Sequence, residues 1–120
     1  MFKVIIAGGR TFDDYDLLKK SCDKYLKRKL KTDEVIIISG TARGADRLGE
    51  RYATERGLQI ERHPANWTRN GKRAGYLRNQ EMADVADALI AFWDGTSRGT
   101  KHMIDIMNKK AEDMVRVVMF

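Results

Sequence analysis

Short apolar runs alternate with helical patterns along this chain, and this alternation constrains the fold more than any other feature. Five runs are rich in β-branched or aromatic residues, over residues 2–7, 35–39, 58–63, 88–93 and 114–120. Runs of this length and composition are typical of buried strands. No hairpin turn joins one run directly to the next. Strands that alternate with helices are connected by right-handed crossovers, which produce a parallel sheet.

Four helices are predicted between these strands. In the first, residues spaced i, i+4, i+7 and i+8 share one helical face, and they are Leu18, Cys22, Tyr25 and Leu26. Asp13 or Asp14 is placed to cap its start. The other three are predicted over residues 45–56, 74–85 and 99–111, with Gly57 ending the second. The pattern therefore predicts a Rossmann-like three-layer α/β sandwich with a five-stranded parallel sheet in the order 3-2-1-4-5.

Length and composition fit one soluble domain over residues 1–120. The chain is 42% hydrophobic and 33% charged, and it contains one proline. No apolar run approaches the roughly 20 residues of a membrane span. Met1 leads directly into strand-like sequence without a signal-peptide pattern, so we expect a cytoplasmic protein with no membrane partner.

The net charge and the few cysteine and histidine residues limit which binding partners the sequence predicts. The net charge of +6 is compatible with binding to polyanions through counterion release, and equally with solvated helix faces. Cys22 is the only cysteine, so a disulfide is excluded. His63 and His102 lie far apart, without a carboxylate or cysteine at ligand spacing, so we predict no metal site.

Four glycine-bearing segments follow four of the predicted strands and should meet at the carboxyl edge of the sheet, where open α/β folds bind ligands. In the first, Gly8 and Gly9 permit close approach of a ligand to the backbone, and Arg10 adds a planar cation. The segment does not match the G-x-G-x-x-G dinucleotide fingerprint. A tight turn with an exposed arginine is the alternative interpretation.

The second segment runs from Ser39 to Asp46 and includes Gly40, Thr41 and Gly44. A strand ending in Ser-Gly, followed by Gly-Ala at a helix start, presents backbone N–H groups and the positive end of the helix dipole to an anion. It is not a Walker loop, because Gly-Lys-Ser/Thr is missing. Asp46 either contacts a ligand or interacts favourably with the helix dipole.

The segment after the fourth strand is the best phosphate candidate in the chain. It runs from Asp94 through Gly95 to Gly99 and Thr100. Gly99 allows close approach at a helix start, and the Thr100 hydroxyl is placed to donate to a phosphate oxygen. Helix capping by Ser97 or Thr96 is a further interpretation that a phosphate site does not exclude.

Arg78 and Asn79 lie in the remaining segment. Met82 and Val85 follow Arg78 by four and seven residues, which places the arginine along an apolar helix face. From there it would reach an acidic ligand in bidentate geometry, or else form an ion pair with Asp84 or Asp87. Trp67 is predicted in a loop, where it either stacks on a base or covers the core.

With these residues in place, the whole chain resembles the SLOG superfamily, named for the Smf/DprA and LOG proteins. The segments GGRTFDD, SGTARGAD, AGYLRNQEMADVADALIAFWDG and SRGT are most similar to small stand-alone members related to YspA and YpsA. The resemblance implies a binding or sensing domain for a nucleotide or nucleotide-derived ligand, of the ADP-ribose, NAD or nucleoside monophosphate type. No other cofactor is predicted. Related domains often form dimers, so the resemblance also implies a homo-oligomer.

Two kinds of relative imply alternative functions. LOG proteins are phosphoribohydrolases, and Gly99-Thr100 and Arg78 match part of their motif. Met103 stands where their catalytic glutamate belongs. An N-glycosidic hydrolase or transferase, such as a deoxyribosyltransferase, would therefore need another carboxylate, and the candidates are Asp46, Asp94 and Glu81. DprA binds single-stranded DNA, and the stretch 39–46 and the Arg78-Asn79 pair resemble its motifs.

The expected ligand-binding residues are Gly8, Gly9, Arg10, Ser39, Gly40, Thr41, Gly44, Asp46, Arg78, Asn79, Asp94, Gly95, Gly99 and Thr100.

Overall fold

The computed structural model describes all residues from 1 to 120. The strands are β1 (Phe2–Gly8), β2 (Val35–Ser39), β3 (Gln59–Arg62), β4 (Ala88–Trp93) and β5 (Val115–Met119). The helices are α1 (Tyr15–Thr32), α2 (Ala45–Arg56), α3 (Trp67–Asn70), α4 (Ala74–Val85) and α5 (Arg98–Ala111). Short 3₁₀ turns cover Gly71–Arg73 and Glu112–Met114.

The strands form one parallel sheet in the order β3-β2-β1-β4-β5. At the centre of the sheet, Val4 of β1 lies opposite Ile37 of β2 and Ala88 of β4. Both the parallel arrangement and the predicted order are confirmed. Because every strand runs in the same direction, the loops that leave β1, β2 and β4 emerge at one edge.

The sheet separates two apolar layers, because successive side chains of a strand point to opposite faces. Val4 and Ile6 face the layer that contains α1 and α2, with Leu18, Tyr52 and Phe92 buried in it. The opposite layer contains α4 and α5, and its buried residues include Ile5, Ala7, Met82, Met103 and Met107. Helices therefore cover both faces of the sheet and leave its carboxyl edge to the loops.

The predicted helix signals are largely confirmed at residue level. The Asp14 carboxylate accepts the Leu17 backbone N–H at 3.0 Å and caps α1. Gly57 ends α2 in a left-handed conformation with φ 69°. Helix α5 begins at Arg98, one residue before the predicted start. None of the helices combines the length and the apolar character that crossing a membrane requires.

Strand β1 extends one residue beyond the predicted 2–7, to Gly8, and three further details differ from the sequence prediction. Strand β3 is shorter than the predicted 58–63, because the Leu58 N–H donates to Ala53 O at 2.8 Å and so belongs to the end of α2. Strand β5 covers 115–119 rather than 114–120, since Met114 closes a 3₁₀ turn. Tyr25, predicted on the buried face of α1, is exposed and lies near the ammonium of Lys24.

Candidate functional site

Two adjoining clefts lie at the carboxyl edge of the sheet. The first cleft has a volume of about 460 Å³. It is lined by most of the predicted site residues, namely Gly8, Gly9, Arg10, Asp46, Arg78, Asn79, Asp94, Gly99 and Thr100. The second cleft, of about 490 Å³, contains the predicted residues Gly40 and Thr41. The structure therefore brings together side chains from loops that are distant in sequence.

The loops after β1 and β2 contact each other through their backbones. Gly9 O accepts the N–H groups of Phe12 and Ala45, each at 3.2 Å. Gly44 has φ 84°, and a Cβ at this position would collide with the backbone of Gly9 and Arg10. Only glycine satisfies both the conformation and the contact. Gly44 thus fixes where the Arg10 loop sits, although it lines neither cleft.

Ser39 lies at the end of β2 and has no exposed surface. Its hydroxyl donates to Glu50 Oε2 at 2.7 Å and accepts the Thr41 N–H at 3.0 Å. The Glu50 carboxylate, itself buried, also pairs with Arg62 at 3.0 Å. These bonds hold Thr41 in the left-handed region at φ 66°, which a β-branched residue rarely adopts. The Ser39 side chain therefore supports the loop from within.

Asp46 is 5% exposed and lines the first cleft. Its Oδ2 accepts the Ala42 N–H at 3.2 Å. Burial raises the pKa of this carboxyl to about 6, against the opposing effect of the Arg78 guanidinium. A Cβ at Gly40 would lie 2.7 Å from both Asp46 Oδ2 and Arg78 Nη1. Glycine at this position therefore lets a carboxyl and a guanidinium approach the same loop.

Arg78 and Asn79 connect three elements at the floor of the site. Arg78 Nη1 donates to Gly40 O at 2.5 Å, and its Nε donates to Asn79 Oδ1 at 3.0 Å. Asn79 Nδ2 in turn donates to Gly99 O at 3.2 Å. Burial lowers the pKa of Arg78, and the Asp46 carboxylate opposes that shift. The pair thus ties the loop after β2 to α4 and to the start of α5.

The alternative interpretation of Arg78, an ion pair with Asp84 or Asp87, is wrong. The Asp84 carboxylate accepts from Gln80 at 2.9 Å, and Asp87 accepts the Lys3 backbone N–H at 2.9 Å. Both aspartates lie toward the other end of α4, at the amino edge of the sheet.

The loop after β4 forms an exposed turn in front of α5. Asp94 Oδ1 accepts the N–H groups of Thr96 and Ser97, each at 2.9 Å, and these bonds lower the pKa of its carboxyl. Ser97 caps α5, and its Oγ lies 3.1 Å from Thr100 Oγ1. Capping by Ser97 is therefore confirmed. Gly95, with φ 87°, shapes the turn but lines neither cleft.

Two aromatic side chains border the first cleft. Trp67 begins the one-turn helix α3 and is 50% exposed, so the interpretation that it covers the core is wrong. The Arg10 guanidinium lies 6.0 Å from the centre of its ring. Tyr76 is also exposed, and its ring meets His102 edge-on at 4.7 Å. Both rings therefore present apolar surface to the first cleft.

The carboxylate candidates differ in their placement. Asp46 and Asp94 line the first cleft, whereas the Glu81 side chain is 65% exposed and lies outside both clefts. Met103 is buried in the first turns of α5 and also lines the first cleft. No group of three or more His, Cys, Asp or Glu side chains is placed to hold a metal ion.

Sequence reasoning missed Glu50 and Lys72. Glu50 lies four residues after Asp46 on α2, so the two carboxylates share one helix face, and that spacing was the available signal. Lys72 lies in a 3₁₀ turn and lines the first cleft. No local sequence pattern predicts that Lys72 lines the cleft, because its position depends on the tertiary path of the segment after β3.

The parallel sheet and the loops at its carboxyl edge define a Rossmann-like α/β protein. A profile of the YspA, cpYpsA-related SLOG family matches residues 2–70, and the chain belongs to this family, as its motifs indicated. The chain is also similar to the Gene 61 protein of Mycobacterium phage D29, with 36% identity over 108 residues that cover 85% of each chain. No solved structure matches the chain.

Proposed function

We propose that this protein binds a nucleotide or nucleotide-derived ligand, of the ADP-ribose, NAD or nucleoside monophosphate type, in the first cleft as a binding or sensing domain. The observation that supports this most is the composition of that cleft. It combines the guanidinium groups of Arg10 and Arg78 and the start of α5 with the exposed rings of Trp67 and Tyr76. Its volume lies within the range of small-molecule sites.

The start of α5 is the proposed phosphate subsite. The first N–H groups of a helix have no partner within the helix and carry partial positive charge. Nothing lies within 4 Å of the position of a Cβ on Gly99, so a phosphate has open access to this turn. Thr100 adds a hydroxyl, and Arg78 and Arg10 neutralise the charge of the ligand.

The aromatic rings are the proposed base subsite. A base stacked on an aromatic side chain gains about 1 to 3 kcal/mol, with little preference among bases. Trp67 and Tyr76 line the same cleft as Thr100. A nucleotide would therefore place its base against the rings and its phosphate at α5.

Calorimetric titration with AMP, ADP-ribose and NAD tests this proposal. We expect Arg78→Ala to weaken binding by about tenfold or more, since a charge-assisted hydrogen bond contributes roughly 1.5 to 3 kcal/mol. Thr100→Val, which keeps the side-chain shape, should weaken it several-fold. Lys20→Ala, on the exposed surface of α1, is the control for a lost positive charge. Unchanged affinity in both cleft variants would show that the site assignment is wrong.

Hydrolysis of an N-glycosidic bond is the second candidate function, and the position of Asp46 favours it. Of the three candidate carboxylates, Asp94 is held by two backbone N–H groups and Glu81 lies outside the cleft. Asp46 lines the cleft with a pKa raised by burial to about 6, which suits a general acid or base. Chromatography of AMP incubated with the protein distinguishes the two functions, because only the enzyme releases free adenine.

Binding of single-stranded nucleic acid is the third candidate function, and a calorimetric titration with a single-stranded oligonucleotide tests it. Affinity for an oligonucleotide that falls steeply with salt, in the absence of nucleotide binding, would favour it.

A further inference from the structure

We propose that the second cleft is an additional anion-binding subsite, so that the ligand is a dinucleotide-type molecule whose two halves occupy the two clefts. This inference rests on the proposed function of the first cleft. It assigns to the ligand a second half that a nucleoside monophosphate lacks.

The charges that line the second cleft are all positive. Arg10, Arg43 and Arg78 contribute to its wall, and no acidic side chain does. The first cleft, by contrast, includes Asp46 and Asp94. Asp46, from the first cleft, offsets part of the charge of Arg78, but the three arginines still give the wall of the second cleft a net positive charge that attracts an anion.

Arg10 and Arg43 have no acidic partner elsewhere in the structure. Neither takes part in a salt bridge or a side-chain hydrogen bond, whereas Arg51, Arg56 and Arg62 all pair with carboxylates. Burial is the main cause of the lowered pKa of Arg78, and Arg10 adds to it, whereas the Asp46 carboxylate opposes it. These guanidinium groups are therefore available to a ligand.

The two clefts lie side by side. They share Arg10, Ala42, Trp67 and Arg78 as a common wall, and their volumes are similar. A ligand with two nucleoside-sized halves would cross this wall with its phosphates beside Arg10 and Arg78. A mononucleotide would fill one cleft and leave the other unoccupied, so the pair of clefts favours a dinucleotide.

The loop that carries Arg43 is already fixed in place. Thr41 N–H and Ala42 N–H donate to Ser39 Oγ and Asp46 Oδ2, and Arg47 Nε donates to Thr41 O at 3.1 Å. A ligand that binds to an ordered loop does not bear the entropic cost of ordering it. The backbone around the second cleft is thus preorganised.

Two matched variants separate the clefts. Arg43→Ala removes an exposed positive charge that lines only the second cleft, and Lys72→Ala removes one that lines only the first. The probes are AMP and NAD, titrated at about 0.15 M salt to limit long-range effects. We expect Arg43→Ala to weaken NAD binding by about tenfold and to leave AMP affinity within twofold of the wild type. Lys72→Ala should weaken both ligands.

Three results would overturn the inference. If AMP binds, but NAD binds no tighter and Arg43→Ala changes neither affinity, the second subsite is wrong and the proposed function stands. If Arg43→Ala weakens both ligands equally, its effect is long-range and no separate subsite exists. If a single-stranded 12-mer binds while AMP and NAD do not, both the inference and the proposed small-molecule function fail.

Discussion

Residues 40–44 and 95–99 share the pattern Gly-Thr-x-Arg-Gly, and each segment connects a strand to a helix at the same edge of the sheet. We call residues 40–44 the inner segment and residues 95–99 the outer segment. Helix α2 begins after the last glycine of the inner segment, whereas α5 begins one residue before the last glycine of the outer segment. The same five-residue pattern therefore adopts two different conformations.

The difference lies in what covers each segment. In the inner segment, Gly44 is pressed against the backbone of Gly9 and Arg10, and the next two residues of α2 are buried. In the outer segment, Gly99 is exposed, and a Cβ at this position would meet nothing within 4 Å. The inner segment is thus a supporting wall of the site, while the outer segment leaves a helix start open to a ligand.

The carboxylates beside the two segments show the same contrast. Burial raises the pKa of Asp46 to about 6. Asp94 is exposed, and the two backbone N–H groups that it accepts lower its pKa. Ionisation of Asp46 thus destabilises the folded state, whereas ionisation of Asp94 stabilises it. Asp94 directly precedes its segment and Asp46 follows its segment inside α2, but these positions alone do not indicate which carboxyl is buried.

The largest expected effect is that of Gly44→Ala. A methyl group there would collide with the backbone of Gly9 and Arg10, and φ 84° is strained for alanine. We expect a loss of about 3 kcal/mol or more in the free energy of unfolding, measured with urea. Gly57→Ala is the matched control, because Gly57 has φ 69° but a Cβ there would meet nothing within 4 Å. That variant should lose only about 1 to 2 kcal/mol. Equal losses would mean that the inner segment is not supported by this contact.

A second test compares Asp46→Asn with Asp94→Asn across pH. The pKa of Asp46 is about 6 in the folded protein and 3.8 without the fold. The folded state therefore binds this proton more tightly, and the wild type loses stability as pH rises from about 4 to 6. Asp46→Asn removes that loss while its amide oxygen keeps the Ala42 contact. At pH 8 it should be more stable than the wild type, by about 3 kcal/mol at most.

Asp94→Asn should show the opposite dependence. Because the folded pKa of Asp94 is lowered, its ionised form stabilises the protein at neutral pH, and this contribution is lost as pH falls through the folded pKa. The variant should be less stable than the wild type at pH 7, and the difference should shrink toward pH 3. Urea unfolding at a series of pH values measures both variants. If the free energy of unfolding of the two variants changed with pH in the same direction relative to the wild type, the contrast between Asp46 and Asp94 would be wrong.

The sheet and the meeting of the loops were predictable because they depend on local signals. Apolar periodicity locates the strands and helices, and the right-handed crossover rule then restricts the topology. The positions of Gly57 and Asp14 at helix ends follow from backbone and capping preferences within a few residues. None of these signals needs knowledge of a distant partner.

The interior of the site was less predictable because its contacts are long-range. Arg78 donates to Gly40 O across 38 residues of sequence, and no spacing rule indicates that pairing. Ser39 was expected to face a ligand, yet its hydroxyl is turned inward by Glu50. Trp67 was difficult to place because a one-turn helix has no periodicity. Tertiary packing, rather than local sequence preference, determines the positions of all three side chains.

The smallest expected effect on stability is that of Gly99→Ala, and its sign should be opposite to that of Gly44→Ala. Gly99 lies in the first turn of α5 with open space around it, and alanine in a helix is favoured over glycine by roughly 0.5 to 1 kcal/mol. We expect a gain of about 0.5 kcal/mol in urea unfolding, since the first turn benefits less than a helix interior.

The same methyl group would stand where the proposed phosphate approaches, so AMP affinity should fall while stability rises. A rise in stability with unchanged affinity would place the phosphate elsewhere in the cleft. A loss of stability would show that the start of α5 is not open, and the distinction between the inner and outer segments would then fail at Gly99.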